Sequence, residues 1–343
     1  MADGSVIASV PKVARRKRGR PAEKLTLHPE TGQLIGVEFA HRAVRVAAMN
    51  AAHEILGTAS ESHSPDASLE NRIDMARRLA SRLTGGAVQA GTLNGIGVAV
   101  TDPVDSAQAA SPWTAARNNV VTTLVRERFG TQAVLDNNTR LAAMAETLWG
   151  AATGEQNVLY LRLSDGVSGS LVVGGATHRG AHGMSGQFGH ITVDPDGAPC
   201  ACGGHGCLET VASVEAVLDA YRRAGGTAAD VPQLVAALDA GDQVAHSVLE
   251  RVGTQIGRVL ANACIAIGPS MIVVGGELAD IGPALMEPIE RELNAKMRRN
   301  SWPRPRVRQA QLGDAAAALG AIALLHQSPV LPRHPELDTA ISA

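Results

Sequence analysis

The sequence predicts an α/β protein of two lobes with a cleft, and three observations carry that prediction. Short aliphatic runs alternate with segments whose apolar residues recur at helical spacing, and the alternation occurs twice along the chain. At 343 residues the chain exceeds the usual size of one compact domain. Apolar residues make up 45% and aromatics only 2%, so the core must be aliphatic.

The elements follow in order. Runs at 34–39, 43–49 and 54–60, separated by turn-like residues, read as an antiparallel meander. A helix is expected over 67–83 and a buried strand over 95–100, ending at Asp102-Pro103. After a helix near 115–129 comes a short strand at 133–135. Leu141, Met144, Leu148 and Ala151 then recur at helical spacing, so strand passes to helix within 136–139. Runs at 158–163 and 169–173 form a strand pair, and a long Gly- and His-rich loop then runs to Cys207. Beyond it the chain is helical. Val248, Leu249, Val252, Ile256, Val259, Leu260, Ala263 and Ile267 make one apolar face that Gly268-Pro269 terminates. A strand at 271–274, a helix at 282–297, a strand at 306–309 and an Ala-rich helix at 314–326 complete the chain. The expected division is a tail over 1–30, one lobe over 31–150 and a second over 151–343, with the last helix packing back on the first lobe.

Charge is unevenly distributed. Lys12, Arg15, Arg16, Lys17, Arg18, Arg20 and Lys24 face only Asp3 and Glu23 before residue 26, whereas the rest of the chain holds 24 basic and 31 acidic groups. Such segregation points to a polyanion-binding tail on an acidic body. No apolar run reaches the ~18 residues that cross a bilayer, and no apolar stretch follows the basic one, so a cytoplasmic protein with no membrane partner is expected.

Three of the four cysteines fall within eight residues. His190, Cys200, Cys202 and Cys207 read His-x9-Cys-x-Cys-x4-Cys among glycines, which suits a tetrahedral, structural Zn²⁺ whose four protein ligands leave no position for catalytic water. His182 and His205 are taken as solvated loop residues, because that shell is already full. Cys264 sits in an apolar helical pattern as inert packing.

The segment GHITVDPDGAPCACGGHGCLE resembles the signature of the ROK family of repressors, open reading frames and sugar kinases. Further matches are Gly-Arg-Pro-Ala at 19–22, Ile35-Gly36-Val37, Pro103-Val104-Asp105, LAAMAE at 141–146 and IVVGGE at 272–277. The resemblance implies an actin-like ATPase (ribonuclease H-like) fold with a zinc-stapled loop and a sugar, amino sugar or sugar phosphate in the cleft. It further implies sugar contacts from Asn137, Asn138, Gln187, His190 and Glu209. Gln187 stands where the family carries a glutamate, so a charged hydrogen bond becomes a neutral one.

Kinases of this family place an aspartate base in Asn-Asp-Ala-Asn, where this chain has Asn137-Asn138-Thr139-Arg140. An amide takes no proton near pH 7, and loss of a general base costs about 10²–10⁴-fold in rate. The first phosphate turn, Asp-x-Gly-Gly-Thr in those kinases, is Glu38-Phe39-Ala40-His41-Arg42 here, and the second carries Asp165. ATP is therefore not an expected cofactor. A register shifted by two would make Asp136 the base; the helix downstream fixes the register against it, leaving Asp136 to cap that helix or contact ligand.

Repressors of the family add an N-terminal winged helix-turn-helix ahead of the Gly-Arg-Pro-Ala junction, and the stretch before Arg18 is too short to hold one. Arg16, Lys17, Arg18 and Arg20 are the candidate DNA contacts, extended enough for an A·T-rich minor groove. The first expectation is thus a sugar-responsive regulator, a homodimer or homotetramer, without enzyme activity. The alternatives are an ATP-dependent hexose kinase and a sugar-binding protein without DNA.

Overall fold

The structure, a computed structural model, describes residues 32–85, 93–101, 104, 112–299 and 303–327, and additionally the strands 6–9 and 24–27. Of those two strands, and of residues 112–117 and 299, the backbone alone is described. β1 (Val6–Ser9) and β2 (Lys24–Leu27) pair antiparallel, with Val6 opposite Leu27. Arg16, Lys17, Arg18 and Arg20 lie outside the described residues.

The predicted meander is β3 (Gln33–Phe39), β4 (Ala43–Asn50) and β5 (Ile55–Ser62). α1 (Leu69–Leu83) follows, started by Ser68, whose Oγ accepts from Asn71 N at 3.2 Å. Then come β6 (Leu93–Val100), α2 (Pro112–Phe129), β7 (Ala133–Asn137) and α3 (Asn138–Trp149). The sheet runs β5-β4-β3-β6-β7, antiparallel through β3 and parallel beyond it.

The next sheet is built from β8 (Val158–Leu163), β9 (Val167–Val173) and β10 (Ala176–His178). Four helices separate these from the remaining strands: α4 (Glu209–Ala212), α5 (Val214–Arg223), α6 (Val231–Asp239) and α7 (Gln243–Ile267). β11 (Met271–Gly275), α8 (Pro283–Arg299), β12 (Arg306–Gln309) and α9 (Ala316–Gln327) are the last elements among the described residues. The order β10-β9-β8-β11-β12 repeats the first sheet: three antiparallel meander strands, then two parallel ones. What the sequence carries as a faint likeness of two halves is a duplicated topology.

Two compact units result. The first comprises residues 1–101, 113–138 and 317–343, and the second 102–112 and 139–316. The boundary expected near 150 lies inside the second unit of this division. α9 belongs to the first unit, where Gly36 and Gly97, register partners on β3 and β6, receive its backbone. A Cβ at Gly36 would stand 1.8 Å from Ala318 O, and one at Gly97 1.9 Å from Ala321 O. Only bare glycine lets the helix lie this close to the sheet.

α7 ends as its sequence predicts, on Gly268 at φ 65 with its N–H on Cys264 O. β10 is the element the sequence reading folded into the long loop. Gly174 and Gly175, at φ 59 and 79, form a two-residue left-handed turn of the kind that joins hairpin strands and bring Ala176 opposite Val173. α5 and α6 were expected only as part of a generally helical half; Ser213 and Asp230 cap them. No described helix is long and apolar enough to cross a membrane.

Candidate functional site

In the first unit the candidate chemistry gathers at the carboxyl ends of the parallel strands. Glu38 on β3 and Asp136 on β7 both pair in register with Ala99 of β6, which puts the two buried carboxyl groups on one row and one face. Glu38 is fully buried and already engaged. Arg45, its antiparallel partner on β4, donates to Oε2 at 3.3 Å, and Asn138 Nδ2 donates to Oε1 at 3.0 Å. Asn138, where an aspartate base was sought, is thus the amide donor to a buried carboxylate. Asp136 Oδ1 accepts from Asn137 N at 2.6 Å, and Asn137 Nδ2 donates to Thr101 O at 3.2 Å, tying the ends of β7 and β6 together.

The β3–β4 turn closes with Ala40 N on Ala43 O at 3.0 Å, and none of its residues takes a positive φ. A backbone cradle for phosphate needs successive N–H groups turned to one side, which left-handed glycines supply. His41 and Arg42 at the tip are exposed.

In the second unit the sulfur and imidazole groups come together. One ligand atom each from His190, Cys200, Cys202 and Cys207 lies within 4.8 Å of the others. Cys200 Sγ is 3.6 Å from His190 Nδ1, and Cys202 Sγ is 3.7 Å from Cys207 Sγ. A tetrahedral ion ~2.3 Å from sulfur and ~2.0 Å from nitrogen requires edges of roughly 3.6 and 3.8 Å, so these residues fit a divalent metal. The sequence folds the loop to this end with a bridge between Thr192 and Cys207 and another between Pro199 and His205. In the protein alone, burial pushes the Cys207 thiol up to about 12, whereas the Gly204 N–H holds that of Cys202 below its usual value. A buried thiolate needs a cation beside it.

The remaining candidates flank that cluster. Gln187 is exposed and precedes a single helical turn, Phe188–His190, in which His190 N donates to Gln187 O at 3.1 Å. Glu209 opens α4, and its Oε2 accepts from Val167 N at 2.9 Å, so it fastens the β8–β9 turn that carries exposed Asp165. Asn137 and Asn138 belong to the first unit. His182 and His205 are exposed, and Cys264 is buried in α7, its thiol raised by burial to about 12. Sequence reasoning missed three groups: Glu38 as an acceptor, its partner Arg45, and buried Arg140, discussed below. Only the Glu-x6-Arg spacing across a short hairpin hints at the ion pair.

Against known proteins, the ROK family model matches residues 34–328. The glucokinase of Halalkalibacterium halodurans is 36% identical over 218 residues, which are 57% of this chain and 63% of that protein. The xylose repressor of Bacillus spizizenii is 26% identical over 264 residues, 76% of this chain and 67% of the repressor. Among solved structures, a ROK family glucokinase from Streptomyces griseus, in complex with glucose and AMPPNP, superposes with a TM-score of 0.73 at 25% identity, covering 87% of this chain and all of that one. The duplicated mixed sheets are those of the actin-like ATPase fold.

Proposed function

Since this chain belongs to the ROK family, we propose that it is a sugar-responsive transcriptional regulator in which phosphoryl transfer has been lost. One observation carries the reading: the amide of Asn138 donates to Glu38 while Arg45 neutralises the same carboxylate. A kinase needs a base for the sugar hydroxyl and a phosphate cradle at the first turn. Here the base position is a donor, and the turn is a plain hairpin of residues that carry a Cβ.

The effector is a sugar, amino sugar or sugar phosphate, and its contacts are Gln187, His190, Glu209, Asn137 and Asn138. The ion of the Cys/His cluster is zinc, with a structural role. A ring bound through Nδ1 keeps Nε2 for a sugar hydroxyl, which reconciles the two duties of His190. DNA is the macromolecular partner, through Arg16, Lys17, Arg18 and Arg20, and the regulator acts as a homodimer or homotetramer. A hexose kinase is the competing reading, favoured by the 36% identity to a glucokinase.

Three measurements on the purified chain separate them. Elemental analysis is expected to return one zinc per chain, and Cys207→Ser to lose it; a metal-free wild type removes the structural ion. A coupled ADP assay over hexoses and amino sugars is expected to stay at background, and turnover in the ordinary range of about 1–10³ s⁻¹ makes the chain a kinase. Mobility shifts on DNA from upstream of its own gene are expected to change about 5–150-fold with effector, the usual span of allosteric coupling. Shifts indifferent to every sugar, or unchanged after deletion of 1–25, refute the regulator.

A further inference from the structure

Arg140, the third residue of α3, is one of two buried charged side chains among the described residues of the second unit, Glu146 being the other. Its guanidinium donates through Nη1 to Gly183 O and through Nη2 to Val104 O, both at 2.9 Å. Gly183 lies at the tip of a loop that Ser185 N closes on Arg179 O at 3.1 Å and that Gly169 N fastens to β9 through Gly186 O at 2.8 Å. Within it His182 sits at φ 60, a left-handed conformation that a residue with a Cβ keeps only where its surroundings enforce it. The loop runs directly into Gln187 and the turn ending at His190.

We propose that Arg140 is the positioning residue of the effector site, holding loop 179–186 in the strained form that presents Gln187. The inference rests on the sugar-binding reading above. Arginine suits the task because Nη1 and Nη2 of its rigid planar fork serve two carbonyls from different segments in fixed directions, whereas the three donors of a lysine sit on one nitrogen that would have to come within reach of both carbonyls. The amide of Gln187 discriminates among sugars by which hydroxyl it accepts from and which it donates to, so a loosened loop weakens binding and blurs selectivity together.

The test compares wild type with Arg140→Lys, the double variant Arg140→Lys with His182→Gly, and His182→Val. Each is titrated with pentoses, hexoses, N-acetylated amino sugars and their 6-phosphates, and cleavage by trypsin after Arg179 is timed. Arg140→Lys is expected to raise the Kd of the tightest sugar at least tenfold and to speed that cleavage at least fivefold, with metal content unchanged. Glycine at 182 adopts φ 60 freely and is expected to restore both. His182→Val, at an exposed position where β-branching adds strain, is expected to weaken binding without unfolding the chain. It decides the matter if Arg140→Lys does not fold. Affinity and cleavage within twofold of wild type in Arg140→Lys, or in His182→Val if that variant alone folds, overturn the proposal. If wild type binds none of these sugars, the effector reading falls, and the cleavage rates still judge the clamp.

Discussion

Asn138→Asp is expected to destabilise the chain by about 2–4 kcal/mol at pH 8, to recover much of that loss near pH 5, and to phosphorylate no sugar. The substitution restores the residue type a kinase base requires, yet it removes the Nδ2–H that satisfies Glu38 at 3.0 Å and sets a second carboxylate against the first. Arg45 compensates only one negative charge. Two buried carboxyl groups this close cannot both ionise cheaply, so one keeps a proton and its pKa in the folded state rises above the unfolded value of ~4. With a raised folded pKa, the folded protein binds the extra proton, so the penalty is fully present at high pH and shrinks as pH falls through the raised value. Urea unfolding at pH 8 and pH 5 reads the difference. A variant as stable as wild type at pH 8 means Asn138 is not needed as a donor, and appearance of ATP-dependent turnover means the nucleotide turns are intact.

Glu146→Ala is expected to cost about 3–5 kcal/mol, because it takes from three part-buried backbone N–H groups their one fully buried acceptor, and each such loss is worth about 1–3 kcal/mol where water does not replace it. Glu146 is fully buried at the carboxyl-terminal half of α3. Its Oε2 accepts from Ala151 N at 2.7 Å, and its Oε1 accepts from Leu312 N at 2.8 Å and Gln311 N at 3.0 Å. One carboxylate thereby ends α3 and holds the segment leading into α9. The amide of Glu146→Gln keeps one acceptor and is expected to lose roughly half as much. Denaturant midpoints at unchanged slope measure both. A loss under ~1 kcal/mol for the alanine variant would mean that water enters and replaces the acceptor.

Much of the architecture was legible because its signals are local. Short aliphatic runs bounded by turn residues located β3 and β4 to within a residue, and Gly268 marked the end of α7. β10 was missed although Gly174-Gly175 announces it, because three residues leave too little pattern around the turn. The gathering of His190, Cys200, Cys202 and Cys207 was legible too, since these candidate donors lie within 18 residues and thiolate chemistry narrows their use. The polar ties were not. Asn138 meets Glu38 across 100 positions, Glu146 meets Leu312 across 166, and Arg140 meets Gly183 across 43. No periodicity encodes those pairings. Asn138 was recognised for the proton it cannot take, and the carboxylate it satisfies was visible only in three dimensions.

The glycine pair on β3 and β6 bears on how the chain is made. Both strands are translated before most of the second unit, whereas α9, which lies against them, comes only after it. Until α9 is made, the surface that Gly36 and Gly97 offer it has no helix against it. A premature stop codon anywhere between 139 and 315 would therefore release a polypeptide holding every strand of the β5-β4-β3-β6-β7 sheet and α1 beside it, but not the helix that lies against Gly36 and Gly97.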